Sequence, residues 1–184
     1  MFLLFQCMLD PVKKTFKILE DQYGVDYDFL YQNAETKESF NISLQGLCDK
    51  LKIKIMTPDN LTDENGKRIS GRSDCENKII YINGSDIGER MSFTLGHELY
   101  HILNNQNENR DEDERFKENE LNANAFSAEL LMPVDILVKK IKEFKIDILM
   151  LNFGFGITEL AKYFQVSYPA MCVRLFNLGL ISSL

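Results

Sequence analysis

His97 and His101 are the only histidines in the 184-residue chain, and they stand four apart with Glu98 between them in the run HELYH. Residues four apart on a helix lie about 40° apart around its axis, so both imidazoles can reach one ion. Glu98 sits roughly 60 to 100° round the axis from them and flanks the same point. Such a set suits zinc held by two neutral imidazoles, with a carboxylate aimed at the water the metal carries. The chemistry expected is hydrolysis. Zinc would lower the pKa of its water toward about 7 and polarise a carbonyl, while Glu98 takes the proton and returns it to the leaving amine.

A catalytic zinc takes three protein ligands and keeps a fourth position open. With no third histidine, the remaining ligand must be a carboxylate or a thiolate. The run ENELNANAFSAELLMP, residues 118–133, carries several acids, and helical phase separates them. At about 100° per residue, Glu114, Glu118 and Glu129 point well away from the face of Glu120. That face also holds Ala123, small enough for close helix approach, and Asn124, whose amide can hydrogen-bond a ligand imidazole. The metal set expected is therefore His97, His101 and Glu120, with Asn124 behind it and Glu98 as the catalytic base.

These residues need two helices that meet. Met91, Leu95, Leu99 and Ile102 recur at helical spacing, which predicts an amphipathic helix beginning near Ser85 or Asp86. A second helix is predicted over 117–132, turning at Pro133, and another through about Phe144. Between the first two, NNQNENRDEDER over 104–115 has no apolar residue and reads as a solvated loop. Upstream, Asp10 and Pro11 resemble a cap and first helical position for a helix that ends at Gly24. Ser43 suits the cap of a helix through Leu51, KIKIM then alternates as a strand, and RISGRSDCENKIIYIN has the pattern of a hairpin whose second strand is Lys78 to Ile82. IDILMLNFGFG is apolar enough to be expected against the core. The end of the chain reads as two short helices joined at 165–167, with Ser167 as a cap and Gly179 as a stop.

Taken together, ERMSFTLGHELYHIL and ENELNANAFSAELLMP resemble the ImmA/IrrE family of metallo-endopeptidases, in which an HExxH helix precedes an E-x-x-A-N-x-F-A-x-x-L-L-M-P element. The resemblance runs from about Ile79 to Leu180. It implies a thermolysin-like zincin arrangement with Glu120 as third ligand to Zn2+; with the elements read above, the fold expected is α+β and mostly helical, with a small antiparallel sheet and a C-terminal pair resembling a helix-turn-helix. It also implies site-specific cleavage of a regulatory protein, commonly a helix-turn-helix repressor of a phage or mobile element encoded nearby. Tyr100 stands where many relatives have a small residue, and Ser127 replaces an alanine. By analogy with zincins, Ile79, Ile80 and Tyr81 are expected to offer a strand edge to substrate. Tyr100, Tyr81, Tyr163, Tyr168 and Arg174 are unranked candidates for the donor that stabilises an oxyanion.

Composition narrows the alternatives. With 45% hydrophobic and 27% charged residues, the chain reads as one globular domain: N-terminal helices to about 51, a β-containing core over 52–132 and a helical part over 133–184. A net charge of −7 opposes direct binding to nucleic acid, which draws its affinity from neutralised phosphates. The second half of the terminal pair begins Tyr168, Pro169, Ala170, Met171, Cys172, with little to read bases. The apolar start MFLLFQCML is too short to cross a bilayer, which takes about 20 residues. Four scattered cysteines without a CxxC pair favour a reducing cytoplasm. Two other readings remain at this stage: a DNA-binding regulator with structural zinc, and an antirepressor that binds without cutting.

Overall fold

The computed structural model describes residues 2–105 and 114–182. The acidic run expected to form a solvated loop lies mostly outside those residues. Nine helices and three strands are present among those described: α1 Phe2–Tyr23, α2 Tyr27–Tyr31, α3 Leu44–Leu51, β1 Lys54–Met56, β2 Gly71–Asp74, β3 Ile79–Ile82, α4 Gly88–Leu103, α5 Glu114–Leu131, α6 Val134–Glu143, α7 Ile148–Leu151, α8 Ile157–Tyr163 and α9 Tyr168–Asn177.

Local chemistry sets most of the boundaries. Ser43 Oγ accepts from Gly46 N at 3.1 Å to start α3, and Ser167 Oγ accepts from Ala170 N at 3.3 Å to start α9. Gly179 closes α9 with a φ of 70°. Asp86 does not cap α4. Its carboxylate is taken by Arg68 at 2.5 Å, and the helix starts two residues later behind Ile87, with no side-chain cap. Nor does α1 start at Pro11. The helix already runs from Phe2, and a proline inside it gives up a single backbone bond, a loss that 22 residues of helix can absorb.

The sheet is small and mixed, in the order β1-β3-β2. β2 and β3 form the expected hairpin, with Asp74 opposite Ile79 and Gly71 opposite Ile82. β1 lies parallel to β3, Lys54 opposite Ile79, so the sheet is not purely antiparallel. The chain from Met56 to Gly71 makes the long return that parallel pairing requires. Ile80 and Ile82 of β3 are fully buried beneath α4.

α5 packs along α4 and α1. Leu99, Ala123, Phe126 and Leu130 have no exposed surface, and the ring of Phe16 lies 5.1 Å from that of Phe126. The C-terminal helices close the other side through Leu137, Leu160, Met171 and Leu175, all fully buried. Residues 146–156 depart from expectation. One turn of helix can turn only one side of its surface inward, so α7 buries Leu151 while Leu149 and Phe153 stand 75% and 76% exposed. Among the described residues no single helix is long and apolar enough to cross a membrane; the bent pair α5 and α6 has comparable apolar length, but its large side chains are spent on the core.

Candidate metal centre

The joint between α4 and α5 is made by two small residues. A Cβ on Gly96 would lie 2.6 Å from Ser127 Oγ, so the helices approach as closely as a glycine permits. Ser127 Oγ also donates to the Phe93 carbonyl at 2.8 Å, tying the helices together where an alanine could only pack. Next to this contact on α4, and one to two turns before it on α5, the polar side chains converge.

His97 Nε2 lies 3.4 Å from one Glu120 oxygen, His101 Nε2 lies 3.2 Å from the other, and the two Nε2 atoms are 3.1 Å apart. Four donors at 2.0 to 2.1 Å from a tetrahedral ion stand about 3.3 to 3.4 Å from one another. The spacing thus fits a divalent ion of zinc size, and the donors are the nitrogen and oxygen types zinc accepts. His97 Nδ1 donates to Asn124 Oδ1 at 3.0 Å, which fixes the tautomer that leaves Nε2 free for a metal. The His101 and Tyr100 rings meet in a T-shaped contact, and the His101 carbonyl accepts from Cys75 Sγ at 3.6 Å.

Charge is balanced inside the cluster. Hydrogen bonds first from His101 and then from His97 hold the Glu120 carboxyl down to about 2, against the opposing effect of burial. Burial alone would lower the His97 pKa, yet the Glu120 carboxylate, the Glu98 charge and Asn124 together hold it above its ordinary value. The ion pair of His97 and Glu120 holds the donors together.

Glu98 is 4% exposed and faces the sheet rather than solvent. A Cβ on Gly71 would come within 3.1 Å of its Oε1 and 2.5 Å of Thr94 Cγ2, so β2 crosses directly over this carboxylate. Nothing in the sequence around Gly71 pointed to that contact. The carboxylates excluded by helical phase lie elsewhere: Glu118 is exposed, and Glu129 pairs with Arg174.

The expected substrate contacts fare differently. Ile79, Ile80 and Tyr81 belong to the central strand, paired on both sides, so their backbone has no edge to offer; β2 is the edge next to Glu98. Tyr100 is buried, packed between His101 and Phe126. Arg174 is buried too, donating to the Met132 carbonyl at 3.1 Å and to Glu129. Tyr163 is held at Glu35 and Lys140, Tyr81 lies under the Arg72 guanidinium, and Tyr168 sits beside Gly154.

A comparison with curated proteins gives no match. Among solved structures, a Mycobacterium tuberculosis transcriptional regulator is similar in fold, with a TM-score of 0.55 and 16% identity over 90% of this chain and 51% of that one. This chain therefore spans about half the length of that regulator. Residues 48–176 match the Peptidase_M78 family, described as the IrrE N-terminal-like domain. The match takes in α4, α5 and the whole cluster they carry, and the chain belongs to the IrrE N-terminal-like domain family.

Proposed function

We propose that the chain is a zinc-dependent endopeptidase of thermolysin-like zincin arrangement that cuts a regulatory protein, a helix-turn-helix repressor of a phage or mobile element being the intended target. The observation that carries this reading is the convergence of His97, His101 and Glu120 beside the buried Glu98. The two histidines and Glu120 would hold the ion, which when bound supplies an acidified water and a polarised scissile carbonyl. Glu98 takes the proton of the attacking water and delivers it to the leaving amine. Asn124 keeps the His97 ring turned toward the ion. The free edge of β2 can accept an extended substrate segment, and Gly71, lacking a side chain, lets that segment's neighbour pass close to Glu98.

A second reading, a non-proteolytic antirepressor or a DNA-binding regulator, draws on the similarity in fold to a transcriptional regulator. Against DNA binding stand the net charge of −7 and the commitment of Arg174, the basic residue of α9, to Glu129. The test compares the metal-loaded protein with Glu98→Gln, each incubated with the repressor encoded beside the gene, with fragments read by mass spectrometry. Gln keeps the shape but cannot accept the proton, and general base assistance is worth about 10² to 10⁴ in rate. Fragments from the parent alone establish the peptidase. Relief of repression by both proteins without fragments would establish the antirepressor.

A further inference from the structure

On the Asn124 side of the metal centre, a groove of about 730 Å³ opens between the start of α4, the outer face of α5 and α9. We propose that it is the specificity site of the peptidase and receives large apolar side chains of the substrate protein next to the bond that is cut. The proposal rests on the endopeptidase reading and adds the chemistry the substrate must have.

Two observations join the groove to the reacting centre. Asn124 forms part of its wall and at the same time accepts the hydrogen bond that orients His97. Leu121 follows Glu120 directly in α5, lines the same groove and is 56% exposed. An occupant of the groove is therefore one side chain, Asn124, away from the His97 ring. A neighbour bound at an unrelated surface has no such constraint.

The lining decides the occupant's chemistry. Ile87, Phe93, Leu121, Ala125 and Val173 present apolar surface from three elements, with Glu89 and Arg90 at the rim. Arg174 also lines the groove, but its guanidinium is spent on Glu129 and the Met132 carbonyl. A charged or strongly polar side chain would be desolvated there without a paired partner, whereas an apolar one trades water for contact. The volume is that of a ligand pocket and admits more than one side chain. β2 meets the site on the Glu98 side, and the groove meets it on the Asn124 side. Backbone pairing on β2 fits any sequence, so discrimination among proteins falls to the groove.

The test uses the metal-loaded protein and a library of peptides from a digested proteome, with cut sites read by mass spectrometry. Val173→Glu and Ile87→Glu place a charge in the groove at exposed positions away from the metal donors, and metal content is measured for each. Leu149→Glu, on the exposed apolar stretch outside the groove, is the control. The parent and Leu149→Glu are expected to cut where a large apolar residue lies within two positions of the bond. The groove variants should lose roughly tenfold or more in rate on those peptides with metal content unchanged. Cleavage without that preference, or a preference the groove variants retain, overturns the proposal while leaving the peptidase intact. If the parent cuts nothing, the Glu98→Gln protein immobilised on a column is exposed to the same library. Retention of apolar peptides that Val173→Glu abolishes in that background shows that the groove binds apolar segments, but refutes the peptidase and with it the groove's place beside a cut bond. The absence of such retention overturns the groove as well. A change of oligomeric state in the groove variants, with peptide preference unaltered, assigns the groove to a second copy and overturns the proposal.

Discussion

Replacing Gly96 by alanine adds one methyl group 2.6 Å from Ser127 Oγ, 3.2 Å from Ser127 Cβ and 3.3 Å from its Cα. Relief to an ordinary contact of 3.4 Å requires a shift of about 0.8 Å. Turning the hydroxyl away would break its bond to the Phe93 carbonyl and still leave Cβ and Cα inside 3.4 Å, so α5 moves as a body, by about 0.8 Å if that bond is kept and by about 0.2 Å if it is lost. Glu120 and Asn124 ride on α5, whereas His97 and His101 ride on α4. Their 3.0 to 3.4 Å spacings would open by a comparable amount. Overpacking costs about 1 to 3 kcal/mol, and alanine in a helix returns about 1 kcal/mol relative to glycine, so the metal-free protein should lose about 0 to 2 kcal/mol. Metal affinity should fall about 10- to 100-fold, the usual effect of disturbing the groups behind a ligand. Competition against a chromophoric chelator measures the affinity, and denaturant unfolding of the apo protein measures the stability. Adding Ser127→Ala should restore part of the affinity, since the Cβ contact remains. Parent-like affinity in Gly96→Ala would refute the claim that this helix contact sets the donor geometry.

Glu120→Gln should weaken metal retention in elemental analysis while Glu118→Gln leaves it unchanged, because only Glu120 approaches both imidazoles. The pH response should reverse sign with metal. The raised pKa of His97 gives the apo protein stability that is complete below the ordinary histidine value and lost as pH rises through the raised one, so melting at pH 6 and pH 8 should favour the lower pH, and His97→Gln should abolish that difference. In the loaded protein, protons compete for the same nitrogen, and metal should leave as pH falls through that window. The low pKa of Glu120 adds stability to the apo protein that is lost only as pH falls toward about 2. Arg174→Met should cost about 3 kcal/mol or more in denaturant unfolding, because it strands the Glu129 carboxylate at a mostly buried joint.

Much of the site was legible because it is written in helical phase. His97, His101 and Glu98 share one helix, and Glu120 could be separated from Glu118 and Glu129 by angle alone, since a helix converts sequence spacing into direction. The same angle sets Asn124, one turn from Glu120, against the His97 ring. Caps at Ser43 and Ser167 and the hairpin before α4 were readable because each is decided within a few residues. Asp86 shows the limit of such local reading. It has the right type and place to cap α4, but Arg68, distant in sequence, takes its carboxylate first.

What escaped the sequence depends on partners that periodicity does not name. Alternation marks Lys54–Met56 and Ile79–Ile82 as strands, yet nothing in either says that they pair in parallel or that the second becomes the centre of the sheet. That placement has a chemical consequence. Were β3 the edge, a substrate strand would meet Tyr81 and Lys78; with β2 outside it, the edge offered in the proposed function is that of Gly71 and Ser73, beside Glu98. The residue that makes this approach possible is a glycine whose value lies in what it lacks, since any Cβ there would strike Thr94 and Glu98. The groove escaped for a related reason. Ile87 just before α4, Phe93 on α4, Leu121 on α5 and Val173 on α9 each look like an ordinary apolar position in its own segment, and only their assembly with Asn124 makes them the walls of one groove.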